Sequence, residues 1–284
     1  MKIRLVAIDL DGTLLNSDKK VTETTSAILR SARRQTGVHV VLASARPPRT
    51  VRPFHSLLDL DTPMINYNGA LVMDPCSGRV LLHRAIAPQV AGRVVNFARR
   101  TYPGVLVSAE IMDKWYTDQY DPSRDPFLTE TAKLFEPDVV APLRQWINQA
   151  ITKILLLGEG EPLTEVALGL AGLLGDQVAM VQTEGFLLQV MHPQVSKAVA
   201  LRLVCDELGV DRRETMAIGD NANDVGMLQW AKVGVAVGNA VPAALEAADY
   251  VSDTNDADGA AHAIRRILLE GHVPDSLTDS PPGD

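Results

Sequence analysis

The sequence predicts an α/β protein whose parallel-sheet core is assembled from both ends of the chain around an inserted α+β domain. Three observations predict this. Short apolar runs alternate with helical patterns over the first sixty-odd residues, and the same alternation returns from Ser196. Between those segments the strands come in pairs. At 284 residues the chain is also long enough for its core to split, so two domains are expected.

Each element has its own signal. Ile3 to Ile8 and Val38 to Ala43 read as strands, and Thr22 offers a capping hydroxyl to a helix running to Arg34 with Ile28 and Leu29 on its apolar face. Met64 to Asn66 is a short third strand. The Asn68-Gly69 turn pair follows, then a hairpin of Ala70 to Met73 and Arg79 to His83 about Pro75 and Gly78. In the middle, Pro88 to Arg100, Leu143 to Ala150 and Pro162 to Leu174 read as helices. The strands there are Val105 to Ala109, Trp115 to Thr117, Ile151 to Leu157, and a hairpin of Val178 to Gln182 and Phe186 to Val190 about Glu184-Gly185. Asp121 to Asp125 reads as a polar loop.

From Ser196 a helix is expected to Leu208, a strand at Thr215 to Ile218, a helix at Ala222 to Trp230 and a strand at Val233 to Val237. Val241 to Ala248 is helical, Tyr250-Val251 an edge strand, and Asp256 to Leu269 a final helix. Residues 1–83 and 191–270 then form the core and 84–190 the insert. The Pro-, Asp- and Ser-rich tail from Gly271 is expected to be disordered.

Composition narrows the function classes. A formal charge of −8, with 27 basic against 35 acidic residues, disfavours nucleic acid or an anionic membrane as partner. No segment reads as a signal peptide or a membrane span. Cys76 and Cys205 stand outside any paired motif, so a reduced, cytoplasmic protein is expected.

Two constellations carry chemistry. Asp9-Leu10-Asp11-Gly12-Thr13 follows an apolar strand, which puts both carboxylates at the carboxyl edge of a parallel sheet, where such sheets place ligands. On an extended chain Asp9 and Asp11 point the same way, so one can attack while the other handles protons, and Gly12 permits a sharp turn. Gly219-Asp220-Asn221-Ala222-Asn223-Asp224 stands at a second strand-to-helix junction. Alone it is as often a capped helix start. Paired with the first motif it offers hard oxygen ligands suited to Mg²⁺.

These two motifs resemble the first and fourth motifs of the haloacid dehalogenase (HAD) superfamily in its Cof-type (subfamily IIB) phosphatase branch. Ala43-Ser44-Ala45-Arg46 resembles the second motif, Val195-Ser196-Lys197 the third, and Asn66-Tyr67-Asn68-Gly69-Ala70 a characteristic turn of that branch. The sequence departs from the usual pattern at Ser44 for Thr, Ala45 for Gly and Ala198 for Gly. The resemblance implies a Rossmann-like core, a C2B-type cap over residues 84–190, and Mg-dependent hydrolysis of a small phosphorylated metabolite such as a sugar phosphate.

It also implies roles. Asp9 would be the nucleophile, forming an aspartyl-phosphate, and Asp11 the general acid/base. Mg²⁺ would be held by Asp9, the Asp11 carbonyl and Asp220, with Asp224 in its outer shell. Ser44 and Lys197 would bind the phosphoryl group, with Gly12, Ala45, Arg46, Asn68 and Asn223 lining the substrate. Alternatives are a phosphotransferase or phosphomutase of the same superfamily, or a phosphorylatable module without turnover. Asp11 speaks against the last of these, because a base beside the nucleophile shortens the life of a phosphoryl-enzyme.

Overall fold

Four consecutive buried residues, Leu-Val-Ala-Ile, make β1 (Leu5–Ile8) an interior strand, apolar on both faces as a covered parallel sheet requires. The computed structural model describes residues 2–120, 136–183 and 185–272. After β1, α1 (Glu23–Thr36) starts at Thr22, whose hydroxyl accepts the Thr25 N–H, and stops at Gly37 in the left-handed region. β2 (His39–Leu42) follows. Then comes α2 (Pro48–Leu57), a helix the sequence reading did not anticipate. Pro48 suits its first turn, but Pro53 inside it and three arginine or histidine side chains obscure the apolar face. β3 (Met64–Asn66), β4 (Leu71–Met73) and β5 (Val80–His83) form a small sheet in that order.

The insert holds α3 (Pro88–Thr101), β6 (Leu106–Ile111), β7 (Lys114–Thr117), β8 (Val139–Val140), β9 (Lys153–Leu157), α4 (Gly160–Leu174), β10 (Ala179–Thr183) and β11 (Leu187–Met191). Its sheet runs β10-β11-β9-β6-β7-β8, and α3 packs against α4. The helix expected at Leu143 to Ala150 is only a 3-10 turn, Leu143–Gln145. Trp146 is buried just after it, and its indole N–H donates to the Ala141 carbonyl at 2.9 Å, which holds a tight turn instead.

The chain then returns through α5 (Lys197–Leu208), β12 (Thr215–Gly219), α6 (Val225–Trp230), β13 (Val233–Ala236), α7 (Pro242–Ala247), β14 (Tyr250–Val251) and α8 (Gly259–Ile264). The expected final helix is broken at Asp258, which adopts a left-handed φ of 57°. The main sheet has the order β14-β13-β12-β1-β2 with every neighbour parallel. Strand order reverses between β1 and β12, so the loops leaving these two strands flank a crevice at the carboxyl edge.

The chain divides into two units, Met1–Leu82 with Ser196–Asp284, and His83–Val195. The expected boundary at 190/191 moves to 195/196 because β11 runs through Met191. No described helix is long and apolar enough to cross a membrane. The loop expected at Asp121 to Asp125, Glu184 and the tail beyond His272 lie outside the described residues.

Candidate active site

Asp9 is the first residue past β1, and its N–H donates to the Ile218 carbonyl on β12 at 3.0 Å. Asp220 follows β12, Ser44 follows β2, and Lys197 opens α5, so the parallel topology brings four separate motifs to one edge. Lys197 is 1% exposed; its Nζ donates to Asp9 Oδ1 at 2.5 Å and to Asp224 Oδ1 at 2.6 Å. Asp9, Asp220 and Asp224 bring carboxylate oxygens within 4.8 Å of one another.

This group contains three carboxyls and one ammonium, and little water to moderate them. Burial pushes the Asp9 carboxyl up to about 8; Lys197 opposes that, while the charges of Asp224 and Asp220 add to it. Burial raises Asp220 as well. Burial by itself would favour a neutral Lys197, but Asp9 and Asp224 outweigh it and raise its pKa, so the amine stays charged. The cluster as a whole is short of positive charge.

Asp224 has both oxygens occupied. Beyond Lys197, its Oδ2 accepts the N–H groups of Asp220 at 3.1 Å and Asn221 at 3.0 Å, shaping the loop after β12. Thr13 Oγ1 donates to Asp220 Oδ1 at 2.8 Å, tying the two acidic loops together. Gly12 stands between them with φ of 81°, and a Cβ there would lie 2.5 Å from Asp220 Oδ2. Both the left-handed turn and the close approach need glycine.

Asp11 faces elsewhere. Sequence spacing set it parallel to Asp9, but β1 ends at Ile8 and the chain turns at Gly12. Its carboxylate accepts Arg46 Nε and Nη2 at 2.6 Å each, and Lys19 Nζ at 3.0 Å. Burial acts to raise the Asp11 pKa, and the two cations outweigh it, holding the carboxyl below its usual range. The Asp11 carboxylate is thus taken up by two cations and is not among the oxygens gathered by Asp9, Asp220 and Asp224.

Ser44 is 1% exposed, and its Oγ accepts the Arg46 N–H at 3.1 Å. Its carbonyl accepts the Asn68 N–H at 3.0 Å. Tyr67, Asn68 and Gly69 are successive residues at positive φ, and a Cβ on Gly69 would lie 2.4 Å from the Ser196 carbonyl, next to Lys197 in the chain. Asn223 Nδ2 donates to Asn68 Oδ1 at 2.8 Å. Ala45 is half-buried between Ser44 and Arg46 and offers only backbone polar atoms. Lys19 and Asn239, whose Nδ2 reaches the Gly12 carbonyl at 2.8 Å, were missed from sequence. Asn239 carried a usable signal, since it follows the apolar β13 at the same sheet edge.

Residues 6–264 match the family of haloacid dehalogenase-like hydrolases. The chain belongs to this family. This haloacid dehalogenase-like hydrolase is 30% identical over 274 residues to YxeH of Bacillus subtilis, whose name specifies no substrate, covering 94% of this chain and 98% of that one. It is 29% identical over 270 residues to the 5-amino-6-(5-phospho-D-ribitylamino)uracil phosphatase YitU of Bacillus subtilis, covering 93% and 97%. A haloacid dehalogenase-like hydrolase from Bacteroides thetaiotaomicron superposes with a TM-score of 0.84 at 29% identity, covering 94% of this chain and all of that one. The hydrolase is a phosphatase.

Proposed function

We propose that the chain hydrolyses small phosphomonoesters, sugar phosphates or related metabolites, through a phosphoryl group carried on Asp9, with Mg²⁺ as cofactor. The observation that carries this reading is the buried Asp9, Lys197, Asp224 and Asp220 cluster, with three acids set against one base. The donor set fits a hard divalent cation: Asp9 and Asp220 supply carboxylate oxygens in a group short of positive charge, and the Asp11 carbonyl would complete the protein ligands. When bound, Mg²⁺ would neutralise the charge that otherwise keeps a phosphate away from Asp9.

The chain's own residues supply the remaining steps. The ionised Asp9 oxygen attacks phosphorus and the P–O bond to the leaving alcohol breaks; Asp11, whose burial favours a proton once substrate draws Arg46 off its carboxylate, passes that proton to the alcohol. Asp11 then takes a proton from water as water attacks the phosphoryl group, and Asp9 is released as carboxylate. Lys197 and Ser44 hold the transferring oxygens, where fixed donors stabilise charge spread over them in the transition state. Arg46, Asn68 and Asn223 orient the leaving group, with the backbone of Gly12 and Ala45 lining it. The His83–Val195 unit acts as the cap that selects substrate and excludes water.

Phosphate release from a panel of phosphorylated metabolites, measured with Mg²⁺ and with EDTA, tests the reading. Hydrolysis that EDTA abolishes and Mg²⁺ restores is expected. Hydrolysis indifferent to EDTA would overturn the metal assignment.

A further inference from the structure

The turn bearing Asp11, Gly12 and Thr13 is held by a loop outside its own motif. Asn239 lies between β13 and α7, and its Nδ2 donates to the Gly12 carbonyl at 2.8 Å. Its Oδ1 accepts the Asn255 N–H at 2.8 Å, and Asn255 Nδ2 in turn donates to the Leu15 carbonyl at 2.9 Å. Next along, Asp256 accepts the Ser17 N–H and hydroxyl at 2.7 Å each. The Asn239 loop also reaches the other acidic loop, because the Val241 N–H donates to the Asp220 carbonyl at 2.8 Å and the Val237 N–H to the Gly219 carbonyl at 3.2 Å.

This support has a physical need. Within the turn the Gly12–Thr13 peptide is held only on its N–H side, where Thr13 donates to the Leu10 carbonyl at 3.3 Å, and after a flexible glycine at φ of 81° the Asn239 amide holds its carbonyl side. The anchor is itself rigid. The Gly238 N–H donates to the Asp253 carbonyl at 3.0 Å, and a Cβ on Gly259 would sit 1.8 Å from that same oxygen. Only an amide side chain of this length satisfies both a carbonyl and an N–H at once. Aspartate would keep the acceptor and set an anion against the Gly12 carbonyl.

We infer that Asn239, backed by Asn255, is a positioning residue: it fixes the Gly12–Thr13 peptide against Asp220, and thereby sets both the Thr13 hydroxyl on that carboxylate and the place of Asp11. The inference rests on the phosphatase reading of the Asp9 site. Displacing such a turn by a fraction of an ångström degrades alignment more than substrate affinity.

The test uses the full chain carrying Asn239→Asp or Asn255→Ala beside the wild type, with p-nitrophenyl phosphate as substrate. A second readout is the Mg²⁺ concentration giving half the maximal thermal shift. In Asn239→Asp kcat should fall about tenfold or more with KM within about twofold, and the half-maximal Mg²⁺ concentration should rise. Asn255→Ala keeps the N–H that Asn239 accepts and loses only the bond to the Leu15 carbonyl, so it should fall less in the same direction, and the double variant should lose little more than Asn239→Asp. Asn239→Asp within about twofold of wild type in kcat and Mg²⁺ response would overturn the inference. So would a fall in kcat that disappears when each protein is assayed at the same interval below its own melting midpoint. If the wild type releases no phosphate from any phosphomonoester, the phosphatase reading fails instead, and the Mg²⁺ thermal shift alone decides the role of Asn239.

Discussion

The Arg46 guanidinium grips both oxygens of Asp11, each at 2.6 Å, while the ammonium beside Asp9 belongs to Lys197. The two aspartates of one short motif therefore sit in opposite electrostatic surroundings. Asp9 is raised by burial, and Asp11 is lowered by cations that outweigh its burial. Each carboxyl thus needs a partner to reach the state its proposed role demands: a cation must ionise Asp9, and substrate must draw Arg46 off Asp11 before Asp11 can carry a proton.

Removing the clamp should show in the pH profile. Arg46→Ala leaves Asp11 with Lys19 alone, so its pKa rises, and the limb of kcat/KM that reports Asp11 moves to higher pH. The sign for stability follows from the same shift. A carboxyl depressed in the folded state stabilises above its unfolded pKa and loses that contribution as pH falls through the folded value. The difference in urea midpoint between wild type and Arg46→Ala should thus shrink on acidification. A limb that stays in place would detach Asp11 from proton transfer.

Metal binding should depend on pH through Asp9. In the metal-free protein its carboxyl keeps a proton up to about pH 8, and a bound cation must displace it. Mg²⁺ affinity is expected to fall as pH drops from 8 towards 6, with protons released on binding. Titration calorimetry in two buffers of different ionisation enthalpy measures that release, and its absence would place the ion away from Asp9.

Lys197→Met keeps the bulk of the side chain and leaves Asp9 and Asp224 buried without their shared cation. Breaking a buried pair from one side destabilises by about 3–5 kcal/mol, measurable by urea unfolding. Mg²⁺ should recover part of that loss. Unchanged stability would show that the acids are already neutral without the lysine.

Gly12→Ala meets two obstacles, a left-handed φ and a Cβ 2.5 Å from Asp220 Oδ2. A loss of about 1–3 kcal/mol is expected, with a higher Mg²⁺ requirement as Asp220 is pushed aside. Normal Mg²⁺ dependence in a folded variant would separate Asp220 from the ion.

The interior strands were legible in the sequence because their residues are buried on both faces. Leu5–Ile8 and Thr215–Gly219 are fully buried and read as plain apolar runs. Helix α2 was not legible, since Pro53 and its basic residues hide the pattern at Val51 and Phe54. Asp9 and Asp220 were legible from their places after apolar strands, whereas Lys197, which opens α5, was implied only by the family resemblance. The Asp11 to Arg46 clamp did not follow, because it depends on where the Gly12 turn aims a carboxylate and on β2 pairing beside β1. Asn239 could have been picked out by its place after β13, but Asn255 had no such signal, and their bonds to the Gly12 and Leu15 carbonyls come from the folded geometry.

The central claim is that the phosphoryl group passes through Asp9. Its most direct test is an acid-quenched single turnover with a phosphorylated metabolite that the enzyme hydrolyses, followed by mass mapping of the peptides. The account predicts one phosphoryl group on Asp9 in the wild type, and neither label nor turnover in a folded Asp9→Asn variant, whose amide is a poor nucleophile of similar shape. A phosphoryl group on another residue, or full hydrolysis by Asp9→Asn, would contradict it.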